Sequence, residues 1–397
     1  MAILPLFDVS HLPDAAWMVD PPMPSGLLAG IKGTRTSDDV AHAIADFIGE
    51  AIEVMPLEPP PHQEWLSQFT IPGLSTPLLF FTVNRQVEDG LGVPLEDCPQ
   101  LLGMEALLHP VDPLTVYINL VRLLDAAASN ALFVWDIITN RVMERASLVD
   151  SFLGDGVEPP DRMLWVTEAI ENKPESWIIQ SRGLHRCGRA EIAVTDVRQD
   201  QHQQALQLVD GLASLSLEQP LPGPRETFKI GDKLTVQLLP ASEHDAASHT
   251  QSPTAIIVDP DSQEAAQILV DMDGPDVAMY RTERTCARET RLARETWPTF
   301  MAVAAAVGST VDCLVQVPFL PPEDSDADSH HLWLRVIETS GDVATGELLH
   351  VPTDAEGLNV GDHHEIDAET VSNWCVMMPQ GPQGPDAAQT LQADLQQ

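Results

Sequence analysis

Apolar positions recur with two different periods along the chain, and the changes of period mark the predicted elements. Val40, Ile44, Phe47, Ile48 and Ala51 share one face of a helix expected over 37–50, with Thr36 or Ser37 as its cap. Pro56, Pro59, Pro60 and Pro61 form a stiff connector, and Leu78-Leu-Phe-Phe-Thr-Val83 reads as a fully buried strand. Asp112 followed by Pro113 marks a helix start, and Leu114, Tyr117, Ile118, Val121 and Leu124 make the buried stripe behind it. Strands are expected over 131–135, 163–167, 177–181 and 191–194. A helix from about 201 then turns Ala205, Leu208, Val209, Leu212 and Leu215 inward. Pro220, Pro222 and Pro224 interrupt the chain before an alternating strand with Leu234, Val236 and Leu238.

Residues 241–253 have linker composition. Beyond them the pattern predicts a strand over 255–258, one helical stretch over 281–307, and strands over 314–317, 332–337, 346–351 and 371–376. The tail from Pro379, rich in Gly, Pro and Gln, is expected to be disordered. The units are therefore 1–100, 101–240 and 254–378, with the linker 241–253 and the tail 379–397. The fold class is α+β: two units with antiparallel or mixed sheets covered by helices, then a helix followed by a small, strongly bent sheet or partial barrel.

Charge narrows the roles. Sixty Asp and Glu against 21 Lys and Arg give a net charge of −39. Such a surface repels phosphate backbones, which argues against nucleic acid and anionic membrane and for a protein partner, a basic one fitting best. A proteome-wide bias, such as adaptation to moderate salt, accounts for the acidity equally simply. The start, Met1-Ala-Ile-Leu-Pro-Leu-Phe-Asp8, lacks a basic n-region, and the apolar run over 300–320 is broken by polar residues and Pro318. Five cysteines, Cys98, Cys187, Cys286, Cys313 and Cys375, are odd in number and form no C-x-x-C pair. A reducing cytoplasm is the expected compartment.

Several ordered motifs resemble a known family. Arg294-Glu-Thr-Trp-Pro-Thr-Phe300, Leu314-Val-Gln-Val-Pro-Phe319, His330-His-Leu-Trp-Leu334, Gly357-Leu-Asn-Val-Gly-Asp362 and Val371-Ser-Asn-Trp374 follow one another at plausible spacing. Together they resemble the bacterial domain of unknown function 2314, sometimes called YegJ-like, over roughly 280–378. Asn373 stands where the family pattern leads one to expect Asp. Gly183-Leu-His-Arg-Cys-Gly-Arg-Ala-Glu191 more weakly resembles the domain of unknown function 4026. Neither resemblance implies an activity.

Candidate chemistry is sparse. Asp324, Asp326 and Asp328 match the first ligands of a calcium loop, but Ser329 stands where Gly is needed and Arg335 where Glu is needed. His330, His331, His363 and His364 are the metal-ligand candidates, although His363 and His364 on a strand point to opposite faces. Arg281, Arg284, Arg288, Arg291 and Arg294 form one helical stripe, either a dock for an acidic partner or a salt-bridged surface. Gly26-Leu-Leu-Ala-Gly-Ile-Lys-Gly-Thr34 approaches a phosphate loop, but its Lys is one residue late. Glu191 beside Arg186 and Arg189 is expected to be an ion pair in a turn. Trp333 and Trp374 either close a small core or open a recognition groove. No nucleophile motif is present and no cofactor is implied. The leading expectation is a non-enzymatic binding or accessory protein whose partner surface includes Trp333, Trp374, Arg284, Arg288 and Arg291. The alternatives are a metal-dependent enzyme using the four histidines and an immunity-like neutraliser of a basic protein.

Overall fold

The computed structural model describes residues 16–20, 22–83, 98–129, 131–154, 159–231, 234–244, 250, 253–272, 282–319, 330–351, 357–379 and 381–395. Two compact units emerge, Met1–Tyr280 and Arg281–Gln397. The first holds two sheets and the second one. With helices over them, this is an α+β protein, and among the described residues no barrel closes.

The first sheet is antiparallel throughout. Its elements are β1 (Ser25–Ile31), α1 (Ser37–Ile48), β2 (Glu53–Leu57), β3 (Leu66–Thr70), β4 (Leu78–Val83), β5 (Gln100–Ala106), α2 (Pro113–Ala127), β6 (Ala131–Asp136), β7 (Arg141–Glu144) and the short α3 (Arg145–Leu148). The strand order is β2-β3-β4-β5-β1-β6-β7. Most of the segment that approaches a phosphate loop is β1, an inner strand bonded to β5 and β6 and buried along its length. Burial on both faces removes the alternation by which a strand is recognised. Pro56, expected in a connector, sits in edge strand β2, where a missing N–H is tolerated. Asp112 caps α2 by accepting from Thr115 N, and that helix is buried on nearly every side.

The second sheet comprises β8 (Val166–Lys173), β9 (Ser176–Arg182), β10 (Glu191–Val197), β11 (Phe228–Lys229), β12 (Thr235–Pro240) and β13 (Thr254–Val258), with α4 (His202–Glu218) and α5 (Ala266–Asp271). Its order is β11-β12-β13-β10-β9-β8, and only β10 and β13 run parallel. The strand expected over 163–167 begins later, because Asp161–Leu164 winds into a 3-10 turn whose carbonyls meet arginines. β13, assigned from the sequence to the third unit, is an inner strand here, bonded to β10 and β12. One core runs from Leu27, Phe69 and Tyr117 under the first sheet to Ile179, Leu208 and Ile257 under the second.

In the second unit, α6 (Glu283–Glu295) and α7 (Trp297–Val307) replace the single helix expected over 281–307. The break falls at Thr296 because Pro298 has no N–H and its ring excludes the carbonyl four residues earlier. An antiparallel sheet follows: β14 (Cys313–Phe319), β15 (His330–Ser340), β16 (Val343–Leu348), β17 (His363–Ile366), β18 (Asn373–Met378) and β19 (Gly381–Gln383), in the order β17-β16-β15-β14-β18-β19. The tail is not disordered where it is described. It forms β19 and α8 (Ala388–Leu395), which buries Ala388 and Leu391 in the core. The sheet curls strongly: the rings of Phe319 on β14 and His364 on β17 are 4.9 Å apart. In a flat sheet, strands three places apart lie about 14 Å from each other.

Candidate functional site

The inner face of the second unit's sheet is an aromatic core. Trp297 stacks on Phe300 at 5.1 Å and Phe300 meets Trp374 at 5.2 Å. Both indole N–H groups are satisfied, Trp297 donating to the Asp342 carbonyl at 2.9 Å and Trp374 to Thr296 Oγ1 at 3.0 Å. Trp374 is 1% exposed, so it closes the core and does not form a contact surface.

Two arginines of the stripe, Arg288 and Arg294, tie α6 to other parts of its unit. Arg288 pairs with Asp386 at 2.5 Å, just ahead of α8, and Arg291 lies 3.7 Å from Glu295 one turn on. Arg294 Nε donates to the Val371 carbonyl at 3.3 Å. Arg284 sits on α6 one turn before Arg288, and Arg281 lies outside the described residues.

The histidines divide between faces. His364 lies on the inner side over Phe319, with its Nε2 buried and unpartnered. His363 is exposed, opposite Glu347. His331 Nδ1 is 3.0 Å from Ser372 Oγ. The side chain of His330 and the acidic loop 320–329 lie outside the described residues. Among the described residues, no group of three or more His, Cys, Asp and Glu is placed to hold a metal.

What remains is the outer face, at one end of which Asn373 bonds Glu289 of α6. Strand alternation turns Leu314 and Gln316 of β14, Trp333, Arg335 and Ile337 of β15, and Cys375 and Met377 of β18 to this side. Register aligns them: Gln316 lies opposite Trp333, and Leu314 lies between Cys375 and Arg335. Trp333 is half-buried between its neighbours, whereas Ile337 and Met377 are 47% and 44% exposed. Arg335 donates to Glu347 at 2.9 Å, which raises its pKa through that hydrogen bond and the carboxylate's charge. From 296 to the end of the chain Arg335 is the only Lys or Arg, against sixteen Asp and Glu. The result is an aromatic and aliphatic patch on a segment that is poor in cations. Of these residues only Trp333 is singled out by the sequence reading; the alternation over 313–319 and 330–337 carries the rest.

The first unit contains a buried polar network that corrects the expected ion pair at Glu191. Arg186 pairs with Asp136 at 2.9 Å, both fully buried. Asp136 also accepts from Tyr117 Oη at 2.8 Å and from the Ile138 and Thr139 amides. Burial, then the Asp136 carboxylate, pushes the Tyr117 pKa far above its ordinary value. Glu191 instead accepts from Ser181 Oγ at 2.6 Å and from the Gly183 and His185 amides. Arg189 clasps the carbonyls of Ser216, Cys187, Gly188 and Pro110. Burial pushes the Cys187 thiol up to about 12, so it is no nucleophile. These charges are paired or clasped within the unit, and this is scaffold.

Residues 287–397 match the model of a family described as an uncharacterized protein conserved in bacteria, the domain of unknown function 2314. The matched segment takes in most of α6, the whole third sheet and α8. The match does not reach the 183–191 segment, so the resemblance to the domain of unknown function 4026 gains no support from it. No curated protein and no solved structure matches the chain. Among the described residues no helix is long and apolar enough to cross a membrane.

Proposed function

We propose that this chain is a cytoplasmic accessory protein that acts by contact, docking a basic protein on the outer face of the second unit's sheet. The observation that carries the reading is the outer face itself: the half-buried Trp333 indole opposite Gln316, with Leu314, Ile337, Cys375 and Met377 spread over the same face of three adjacent strands. A rigid aromatic among aliphatic neighbours is the composition of an interface hot spot. The net charge of −39 favours a cationic partner and speeds its approach. An immunity-like neutraliser of a basic toxin or enzyme is one form of this role. The five cysteines stand as free thiols, which suits a reducing compartment. On the same reading, the segment around Gly183–Glu191, which resembles the domain of unknown function 4026, is scaffold for the first unit.

The test is in-cell photocrosslinking from position 337, on the exposed part of the patch. The expected result is one predominant adduct with a basic protein, lost when Trp333→Ala is added to a chain that still folds. Adducts that are acidic, or that persist unchanged in Trp333→Ala, would remove the proposal.

A further inference from the structure

A second surface, in the first unit, has the opposite charge. The loop between β1 and α1 encloses a cavity of about 270 Å³ lined by Ile31, Lys32, Gly33, Thr34, Arg35 and Ala128. Several described cations are paired with a carboxylate, as in Arg145–Asp125, Lys173–Asp196, Arg182–Glu168, Arg198–Asp200 and Arg225–Glu243, and others such as Arg122, Arg141 and Arg189 are held by backbone carbonyls. Lys32 and Arg35 are not: neither has a carboxylate of the described residues within ion-pair distance, in a chain with 60 Asp and Glu.

The loop is also fixed from below. The Arg35 N–H donates to Gln100 Oε1 at 2.7 Å, and its carbonyl accepts from Trp65 Nε1 at 2.9 Å. Arg35 Nη2 donates to Ser129 Oγ at 3.3 Å, which orients the guanidinium and leaves its other donors for a ligand. Two acids near the loop have hydrogen-bond donors of their own, although after the Thr36 hydrogen bonds the Arg35 charge also helps to lower the Asp39 pKa. Asp39 accepts from the Thr36 amide and hydroxyl, and Glu64 accepts from Gln100 Nε2 at 3.2 Å. The capping box formed by Thr36 and Asp39 closes the start of α1, so this site rests on two side-chain cations and a cavity and not on the helix end.

We infer that this cavity binds a small ligand through a phosphate group, with the Arg35 fork and the Lys32 ammonium as its charge partners. A guanidinium offers paired donors to an oxyanion and an ammonium adds a point charge, so together they suit a tetrahedral anion. The net charge of −39 repels a polyanion along its length. A small phosphate, once within a Debye length of about 8 Å, feels mainly the two local cations. The volume lies just below the usual range of ligand pockets and suits a small group.

The test is calorimetric titration of the full chain with inorganic phosphate and with glycerol phosphate, at ionic strength held constant with chloride. One saturable site is expected, weakened roughly tenfold by Lys32→Gln and more strongly by Lys32→Gln with Arg35→Lys. Lys229→Gln removes an exposed cation elsewhere in the same unit and should leave the titration unchanged. Tighter binding of one probe identifies whether free phosphate or a phosphate ester is the ligand, and either supports the site. Absence of a saturable signal with both probes, or equal weakening by Lys32→Gln and Lys229→Gln, overturns it. All variants are compared only where their denaturation midpoints match the parent chain.

Discussion

Gly30 and Asn373 carry the most information for single residues. A Cβ at Gly30 would lie 2.4 Å from the Phe133 ring and 2.9 Å from Cys98 Sγ, so the glycine serves close packing of two central strands. Gly30→Ala should therefore lower stability by about 1–3 kcal/mol in denaturant unfolding, as overpacking does. Asn373 stands where an amide, and not the Asp expected from the resemblance, suits the surroundings. Its amide donates to Glu289 at 2.8 Å while its oxygen accepts from the Trp374 N–H, and it is only 9% exposed. Asp there would set a carboxylate against a carboxylate. Asn373→Asp should cost about 1–3 kcal/mol at neutral pH. The deficit should shrink in acid, because a like-charged neighbour raises a carboxyl pKa and protonation restores the donor. In the first unit, Asp136→Ala leaves Arg186 buried without its anion and should cost about 3–5 kcal/mol. None of these partners was legible from the sequence. Arg186 and Asp136 lie fifty positions apart, and their meeting depends on how two sheets pack.

At the scale of elements, α1 was legible from the apolar spacing of Val40 and Ile44 and the cap at Thr36, although the expected helix ran to 50, past the left-handed Gly49 that ends it. Thr36→Ala should cost about 1 kcal/mol by removing the side-chain acceptor for the Asp39 amide. The Thr36 backbone and hydroxyl hydrogen bonds hold the Asp39 carboxyl below its ordinary 3.8. A depressed carboxyl contributes stability that is present above the unfolded value and lost as pH falls through the folded one. The difference between Thr36→Ala and the parent should accordingly narrow on acidification below pH 3.8, measured by denaturation at stepped pH. Strands were harder to read. β1 and β5 are buried on both faces, and β2 is an exposed edge, so none shows a clean period of two. A continuous helix was expected through Pro298, and only the proline reports the break between the polar α6 and the apolar α7.

For the whole molecule, α+β class and the strong bend of the last sheet were legible from short strands separated by turns. Two features were not. β13 follows linker-like sequence, yet its parallel pairing with β10 ties it into the first unit. The tail's Gly and Pro mask a helix whose Ala388 and Leu391 reach the core. The site was half legible, since Trp333 stands out by residue type whereas the face around it exists only through cross-strand register. A net charge of −39 also makes a prediction for the entire chain. Thermal midpoints should rise as salt is raised from low to physiological strength, because screening relieves self-repulsion; a flat or falling midpoint would mean that the carboxylates are already neutralised by local pairing. Contact through the outer face is tested most directly by titrating the crosslinked partner against the purified chain and its Trp333→Ala variant at two salt concentrations. Binding should weaken with salt for both and be at least about tenfold weaker for the variant at either strength. Equal affinities for the two proteins would contradict it.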